Sequence, residues 1–385
     1  MRNCAKCSIA WLIAWSSCCL ATPYRPVDPA LELAHDLSPY RAALGSAATD
    51  LPSAIAQAQS LVNEGRRRAD VRAFAYAEKL LTPFAGQVSR NSSLALLFAD
   101  IRQYRHDFNG AVALLDELLQ RDAGNAAARL MRAEIRLAQG RGRDALRDCL
   151  ALIGSQSSGI WSACSAQAYA ISGRLADAKR MLAATLPVGP ISGASGAWAA
   201  GIMADLAAQS GDPAQEEEWL TRALAANRDD HVAAIELIDL WLSSGRSAQA
   251  LQFMQGRPVS DAYLLRKAEG LRALDPPQSR AVVADLERRF AEADALGDRT
   301  HLRERALFEL KFGHPRAALA HAQENFRTQR ELIDLRILLE SAAAAEDPTA
   351  AADALAWLKE SHTEDARLTA TLARLGAPPS LGASR

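Results

Sequence analysis

The sequence predicts an all-α chain, an α-solenoid of about eight to nine stacked helix–turn–helix repeats. Three observations point there. A small residue returns at a nearly fixed interval along most of the chain. A glycine precedes it by a constant distance in several of its occurrences. Alanine makes up roughly one residue in five, while valine and isoleucine are sparse and no alternating apolar pattern is sustained.

The returning positions are Ala77, Ala111, Ala145, Ala178, Glu216, Ala250, Ala284, Ala318 and Ala351, spaced by 34, 34, 33, 38, 34, 34, 34 and 33 residues. Gly140, Gly173, Gly211, Gly245 and Gly313 lie five residues earlier, and Phe108, Leu175, Pro213, Pro315 and Pro348 lie three earlier. One physical reading covers all three marks. A helix ends on a glycine, which accepts the left-handed conformation. The next helix opens at once, where proline is tolerated in the first turn. Asp212–Pro213 and Asp347–Pro348 supply a cap and a first turn together. The small residue then sits where the two helices cross.

Each element follows in order along the chain. Residues 1–21 read as a signal peptide: Arg2 and Lys6 are basic, Ile9 to Trp15 is apolar, and small residues lead to a cut expected at Ala21–Thr22. A lipoprotein signal is disfavoured, because Trp15 or Ser16 stands three before Cys18 or Cys19 where an aliphatic residue is preferred. An uncleaved N-terminal anchor is the other reading of this stretch. Residues 22–50 form an arm with Pro23, Pro26, Pro29 and Pro39, and one short helix around Ala30–Asp36.

A first array is expected over 51–186. Its opening pair, Pro52–Gly65 and Asp70–Leu81, is degenerate, with Arg72 at the glycine place. In the second repeat Ala111, Leu114, Leu115 and Leu118 keep one helical face apolar, as Leu175, Ala178, Met181 and Leu182 do in the fourth. The 38-residue interval reflects an insertion, "LPVGPISGASG" (186–196), read as a kink between two half-arrays or as a functional surface loop, the kink being favoured. A second array follows over 197–362. Ile235, Ile238, Trp241 and Leu242 stripe its first helix in the sixth repeat. The seventh repeat has Ser279 at the glycine place after Pro276 and Pro277, and a long second helix to about Ala295. The ninth has Glu346 there. Residues 363–385 give a last helix, Glu364–Leu375, suited to cap the open end, and a disordered tail.

The segments "AQGRGRDALRDCLAL" (138–152), "ISGRLADAKRML" (171–182) and "AQSGDPAQEEEWLTRALAANRDD" (208–230) resemble tetratricopeptide repeats of an exported bacterial type. The resemblance covers about 51–375. It implies stacked helix pairs with a concave face lined by each first helix, a face that in this family often takes an extended or helical peptide. The family's proline near repeat ends is mostly missing. So is the basic clamp that some members use for acidic peptide ends.

The balance of charge excludes some functions. With 44 basic and 45 acidic residues the formal charge is −1, which offers no excess to hold a nucleic-acid backbone. No membrane span is expected once the signal is removed. No residues form a Walker loop, a GxSxG elbow or an HExxH helix. His314 and His321 read as surface residues and not as metal ligands. Neither a cofactor nor a catalytic residue is predicted, and the chain is expected not to be an enzyme. Asn91–Ser92–Ser93 matches a glycosylation acceptor, a chance match unless the source is eukaryotic. Cys4, Cys7, Cys18 and Cys19 leave with the signal, so Cys149 and Cys164 remain as a candidate disulfide or as two small buried hydrophobes.

The groove candidates come from one register position. Eleven residues before the small residue stand Asp100, Glu134, Gln167, Asp205 and Asp239, with Gln103, Tyr104 and Trp198 nearby as anchors. This is either a wall for a basic or polar partner segment or a solvated acidic helix face. The expected role is a protein–protein interaction scaffold of the periplasm or secreted space. The alternative is a carrier for a cell-wall glycan or peptide.

Overall fold

The computed structural model describes residue 48 and residues 50–68, 72–154, 158–186, 192–257, 259–295 and 301–378. The expected signal peptide, nearly all of the arm with its expected short helix, residues 187–191 of the 186–196 loop and the end of the tail lie outside the described residues. Among the described residues every regular element is a helix.

The helices are α1 Leu51–Arg68, α2 Arg72–Leu81, α3 Ser92–Tyr104, α4 Phe108–Arg121, α5 Ala126–Ala138, α6 Gly142–Leu150, α7 Ser158–Ala170, α8 Leu175–Thr185, α9 Gly193–Gln209 and α10 Pro213–Ala226. They continue as α11 His231–Ser243, α12 Ser247–Phe253, α13 Asp261–Leu274, α14 Pro276–Ala295, α15 Leu302–Phe312, α16 Pro315–Phe326, α17 Leu332–Ala344, α18 Ala352–Ser361 and α19 Thr369–Arg374. Short 3-10 turns occupy Thr82–Arg90, Pro348–Ala351 and Ala366–Leu368. None of the described helices is long and apolar enough to cross a membrane.

Contacts divide the described chain into two units. One is built from Ala126–Leu240 and the residues from Leu302 on; the other from the residues up to Asn125 and Trp241–His301. In the first, α5–α6, α7–α8 and α9–α10 are hairpins, and α7 packs on both α6 and α9. The helices on either side of the 186–196 loop thus pack directly on each other, α8 against α9. In the same unit α15 packs on α16, and α17 packs on both. In the second unit α1–α2 and α3–α4 are hairpins joined through α3, and α13 packs on α12 and α14.

The repeat marks have the structural meaning expected of them. Gly140, Gly173, Gly211, Gly245 and Gly313 all have positive φ, from 71° to 95°. Asp212 accepts from the Gln215 backbone N–H at 3.1 Å, and Asp347 from that of Ala350 at 3.2 Å. Asn91 is a helix cap, its side chain accepting from Leu94 N–H at 2.9 Å. The alanines at 77, 111, 145, 178, 250, 318 and 351 are all fully buried. Around them Leu115, Leu118 and Leu182 are also fully buried, each stabilising the fold by about 1.5–3 kcal/mol.

The seventh repeat departs from the expected register. Ala284 is exposed. Helix α14 starts at Pro276, so the buried small residue three positions on is Ser279, whose hydroxyl donates to Ala268 O at 2.7 Å. The prolines pull the helix start forward, and the crossing point moves with it.

Candidate functional site

The site is built on three of the repeat turns. Gly140, Gly173 and Gly211 end α5, α7 and α9, and the segment from Arg330 to Arg367 lies against all three. A Cβ on Gly140 would meet the Trp357 ring at 2.8 Å, and one on Gly173 would meet His362 at 2.6 Å. One on Gly211 would meet Ala366 Cβ at 3.2 Å. These glycines therefore do two jobs, a left-handed backbone and a close approach. Hydrogen bonds follow the same track. Arg330 N–H donates to Ala138 O at 2.7 Å, Trp357 Nε1–H to Gly140 O at 3.3 Å, and the Thr363 hydroxyl to Ile171 O at 3.0 Å.

The track ends in an acidic cluster. Arg367 donates to buried Asp365 at 2.7 Å and to Asp205 on α9 at 3.3 Å. Gln209, one turn along α9, holds the second Asp205 oxygen at 2.8 Å. Glu216 on α10 and Glu236 on α11 share the field of Asp205 and Arg367, and Arg336 on α17 acts on Glu216 as well. Burial, with Asp205 adding to it, pushes the Glu216 carboxyl up to about 7 against the pull of Arg367. Burial and Asp205 raise Glu236 well above the ordinary carboxylate range. Burial works against the Arg367 charge, but Asp365 and Asp205 more than offset it and hold the guanidinium protonated.

The predicted groove residues and anchors divide in two. Glu134, Gln167, Asp205 and Asp239 are partly exposed and lie in one unit; Gln103, also partly exposed, lies in the other. Asp100, Tyr104 and Trp198 are buried and present no face to a partner. Asp100 is 3% exposed and accepts from Arg66, the residue at the same register in the first repeat. Tyr104 stacks on Phe74 with centroids 3.5 Å apart, and Trp198 is 6% exposed within the α9 core. An apolar ring on a helix interior gains more from packing than from waiting at a surface. Sequence reasoning missed Glu216, Glu236 and Arg367 as site members. Glu216 carried a signal, since a carboxylate stands where seven other repeats bury alanine.

Two other expectations have a place. Cys149 on α6 and Cys164 on α7 are fully buried and joined as a disulfide, with Cα atoms 5.4 Å apart. His321 Nδ1 lies 3.1 Å from Glu309 Oε2, and His314 stands at the N-cap of α16.

Helix pairs of this kind, crossing on a small residue and turning on a left-handed glycine, define the helical-repeat class. The tetratricopeptide-repeat family model matches residues 104–147. A solved chain of the APC/C hetero-tetramer Cut9–Hcn1 is 14% identical, with a TM-score of 0.51 and 85% of this chain covered. The chain spans 63% of the length of that one. A tetratricopeptide repeat protein from Parabacteroides merdae is 14% identical, with 75% of this chain and 98% of that chain covered and a TM-score of 0.36. No curated protein matches. Residues 104–147 thus resemble a tetratricopeptide repeat, and the fold is that of an all-α helical-repeat solenoid.

Proposed function

We propose that this protein is an exported, non-enzymatic scaffold that binds a basic or polar segment of a partner protein on the first-helix face of its middle repeats. The observation that carries this reading is the Arg367–Asp205 pair. A guanidinium from a distant part of the chain is already accepted by Asp205, with Glu216 and Glu236 close enough to feel it. The Asp205 side chain keeps 38% of its surface exposed. Asp239 follows one repeat on, partly exposed in the same register. A lysine- or arginine-bearing segment laid along that row would meet carboxylates in sequence.

The test is binding to an arrayed peptide library graded in net charge. Basic peptides should be retained, with affinity falling as salt rises. Asp205→Asn and Asp239→Asn should each weaken binding. Equal retention of acidic and basic peptides would overturn the reading.

Export rests on residues 1–21 and is tested separately. Fractionation followed by N-terminal sequencing should find a mature chain beginning near Thr22 outside the cytoplasm. A cytoplasmic chain that keeps its apolar start would end this part of the proposal.

A further inference from the structure

We propose that the second-helix face of the third and fourth repeats is a docking surface for an anionic lipid bilayer, with Arg143, Arg147, Arg174 and Arg180 meeting the headgroups and Leu150 and Ile153 entering the boundary beneath them.

The near-neutral total charge hides a local surplus. Residues 126–186 hold nine basic side chains and four acidic ones, an excess of five, so the rest of the chain is acidic. Buried Asp148 pairs with Arg129, Arg132 and Arg136 of α5, and Glu134 lies on that same first helix. On the second helices, Asp144 accepts from Arg141 at 2.6 Å and from Arg147 at 2.8 Å. Asp177 accepts from Arg174 at 2.6 Å and from Arg180. One carboxylate is thus shared by two guanidinium groups in each repeat, and Arg143 adds a fifth exposed arginine. The side chains of Arg147 and Arg180 keep 76% and 72% of their surface exposed. Exposed pairs of this kind add little to stability, so folding alone does not account for two like arrangements one repeat apart.

Placement makes these arginines one surface. Arg141, Asp144 and Arg147 recur as Arg174, Asp177 and Arg180, and α7 packs against both α6 and α8. In the next repeat Glu218 holds the place of Arg147 and Arg180, which ends the basic face.

A second observation selects the partner. Arg143, Arg147 and Leu150 stand at i, i+4 and i+7 on one side of α6, and Ile153 follows in the turn. Leu150 and Ile153 are 40% and 55% exposed, two of the four large exposed apolar residues among the described ones. No charged residue lies between Cys149 and Gly154. An acidic peptide or a phosphate backbone would use the arginines and leave those apolar side chains in water. A bilayer surface uses both, since anionic headgroups attract arginine and the layer beneath takes aliphatic side chains. The chain would lie on the bilayer, as none of the described helices is long and apolar enough to cross it.

Flotation of the full chain with vesicles tests this, using phosphatidylcholine alone and phosphatidylcholine with about one third phosphatidylglycerol. The chain should float with the anionic vesicles only, and less as salt rises. Arg147→Gln with Arg180→Gln should weaken binding about 25-fold, roughly fivefold per charge. Ile153→Asp should weaken it as well. Asp144→Asn with Asp177→Asn should strengthen it, which a loss of folding could not do. Asp205→Asn and Asp239→Asn should leave it unchanged, so this surface and the peptide-binding face succeed or fail separately. Equal flotation with both vesicle types, or none with either, overturns the proposal. So does tighter binding to poly-glutamate or to an oligonucleotide than to the anionic vesicles.

Discussion

Arg66 of the first repeat donates to Asp100 of the second, thirty-four residues away, and both are buried. They occupy the same place in successive first helices, so the repeat period itself creates the pair. Burial pushes the Asp100 carboxyl up, and Arg66 opposes this. Removing one partner strands a buried charge. Asp100→Ala should cost about 3–5 kcal/mol, whereas Arg66→Met combined with Asp100→Leu should come out near neutral. Urea denaturation of the two variants checks this. Equal losses in both would mean that the ion pair is stabilising in itself.

The two uses of glycine can be separated by comparing Gly173 with Gly313. Both have positive φ, 71° and 95°, but a Cβ on Gly173 meets His362 at 2.6 Å while one on Gly313 meets nothing within 4 Å. Gly313→Ala should cost only left-handed strain, about 1–2 kcal/mol. Gly173→Ala adds displacement of His362, bringing the loss to about 3 kcal/mol. Paired thermal melts decide it, and similar losses at both positions would show that the segment gives way freely.

How far the fold is legible follows from what repeats. Glycine turns, capping aspartates and buried alanines recur at a near-constant period, so they could be read without coordinates. His106 and Glu346 adopt the same left-handed turn at φ 60° and 56°, yet neither residue type announces it. Ser279 hid because two prolines moved the helix start while Ala284 kept the numerical period. The Arg367–Asp205 contact joins residues 162 positions apart and leaves no periodic trace. Asp205, in the register eleven before the small residue, and Glu216, standing in an alanine's place, were the legible clues to that site. Trp198 misled because an aromatic residue on a first helix looks alike from sequence whether it faces partner or core.

The Cys149–Cys164 bond closes a loop of 15 residues between α6 and α7. Cross-linking a loop of this length contributes about 3 kcal/mol, chiefly by restricting the unfolded chain. Protein isolated without reductant should show no titratable thiol from this pair when unfolded. Cys149→Ser with Cys164→Ser should melt lower by a margin that added reductant does not enlarge. An unaltered chain whose melt ignores reductant would show that the bond is unformed or without consequence. The export proposed above would supply the oxidising conditions the bond needs.

The stability of the whole chain should peak in mildly acidic solution, and the sign follows from the carboxyls on each flank. Glu216 is pushed up to about 7, and Glu236, Glu331 and Asp100 are also raised, by burial first of all. Raised carboxyls bind more protons folded than unfolded, so stability falls as pH climbs from about 4.5 through about 7. On the other flank, Asp50 is lowered by the Ser53 backbone and side chain, and Asp347 by Thr349 and Ala350. Asp285 is lowered by Arg288 and Arg289, which outweigh its partial burial. Lowered carboxyls contribute above their unfolded values and lose that contribution as pH drops below about 4. Melting temperature measured from pH 3 to 9 should therefore rise, peak between about 4.5 and 6, and decline toward 8. Glu216→Gln should flatten the alkaline decline and leave the acid limb unchanged. A melting temperature that climbs steadily to pH 8 would contradict the burial of these carboxyls in the folded chain.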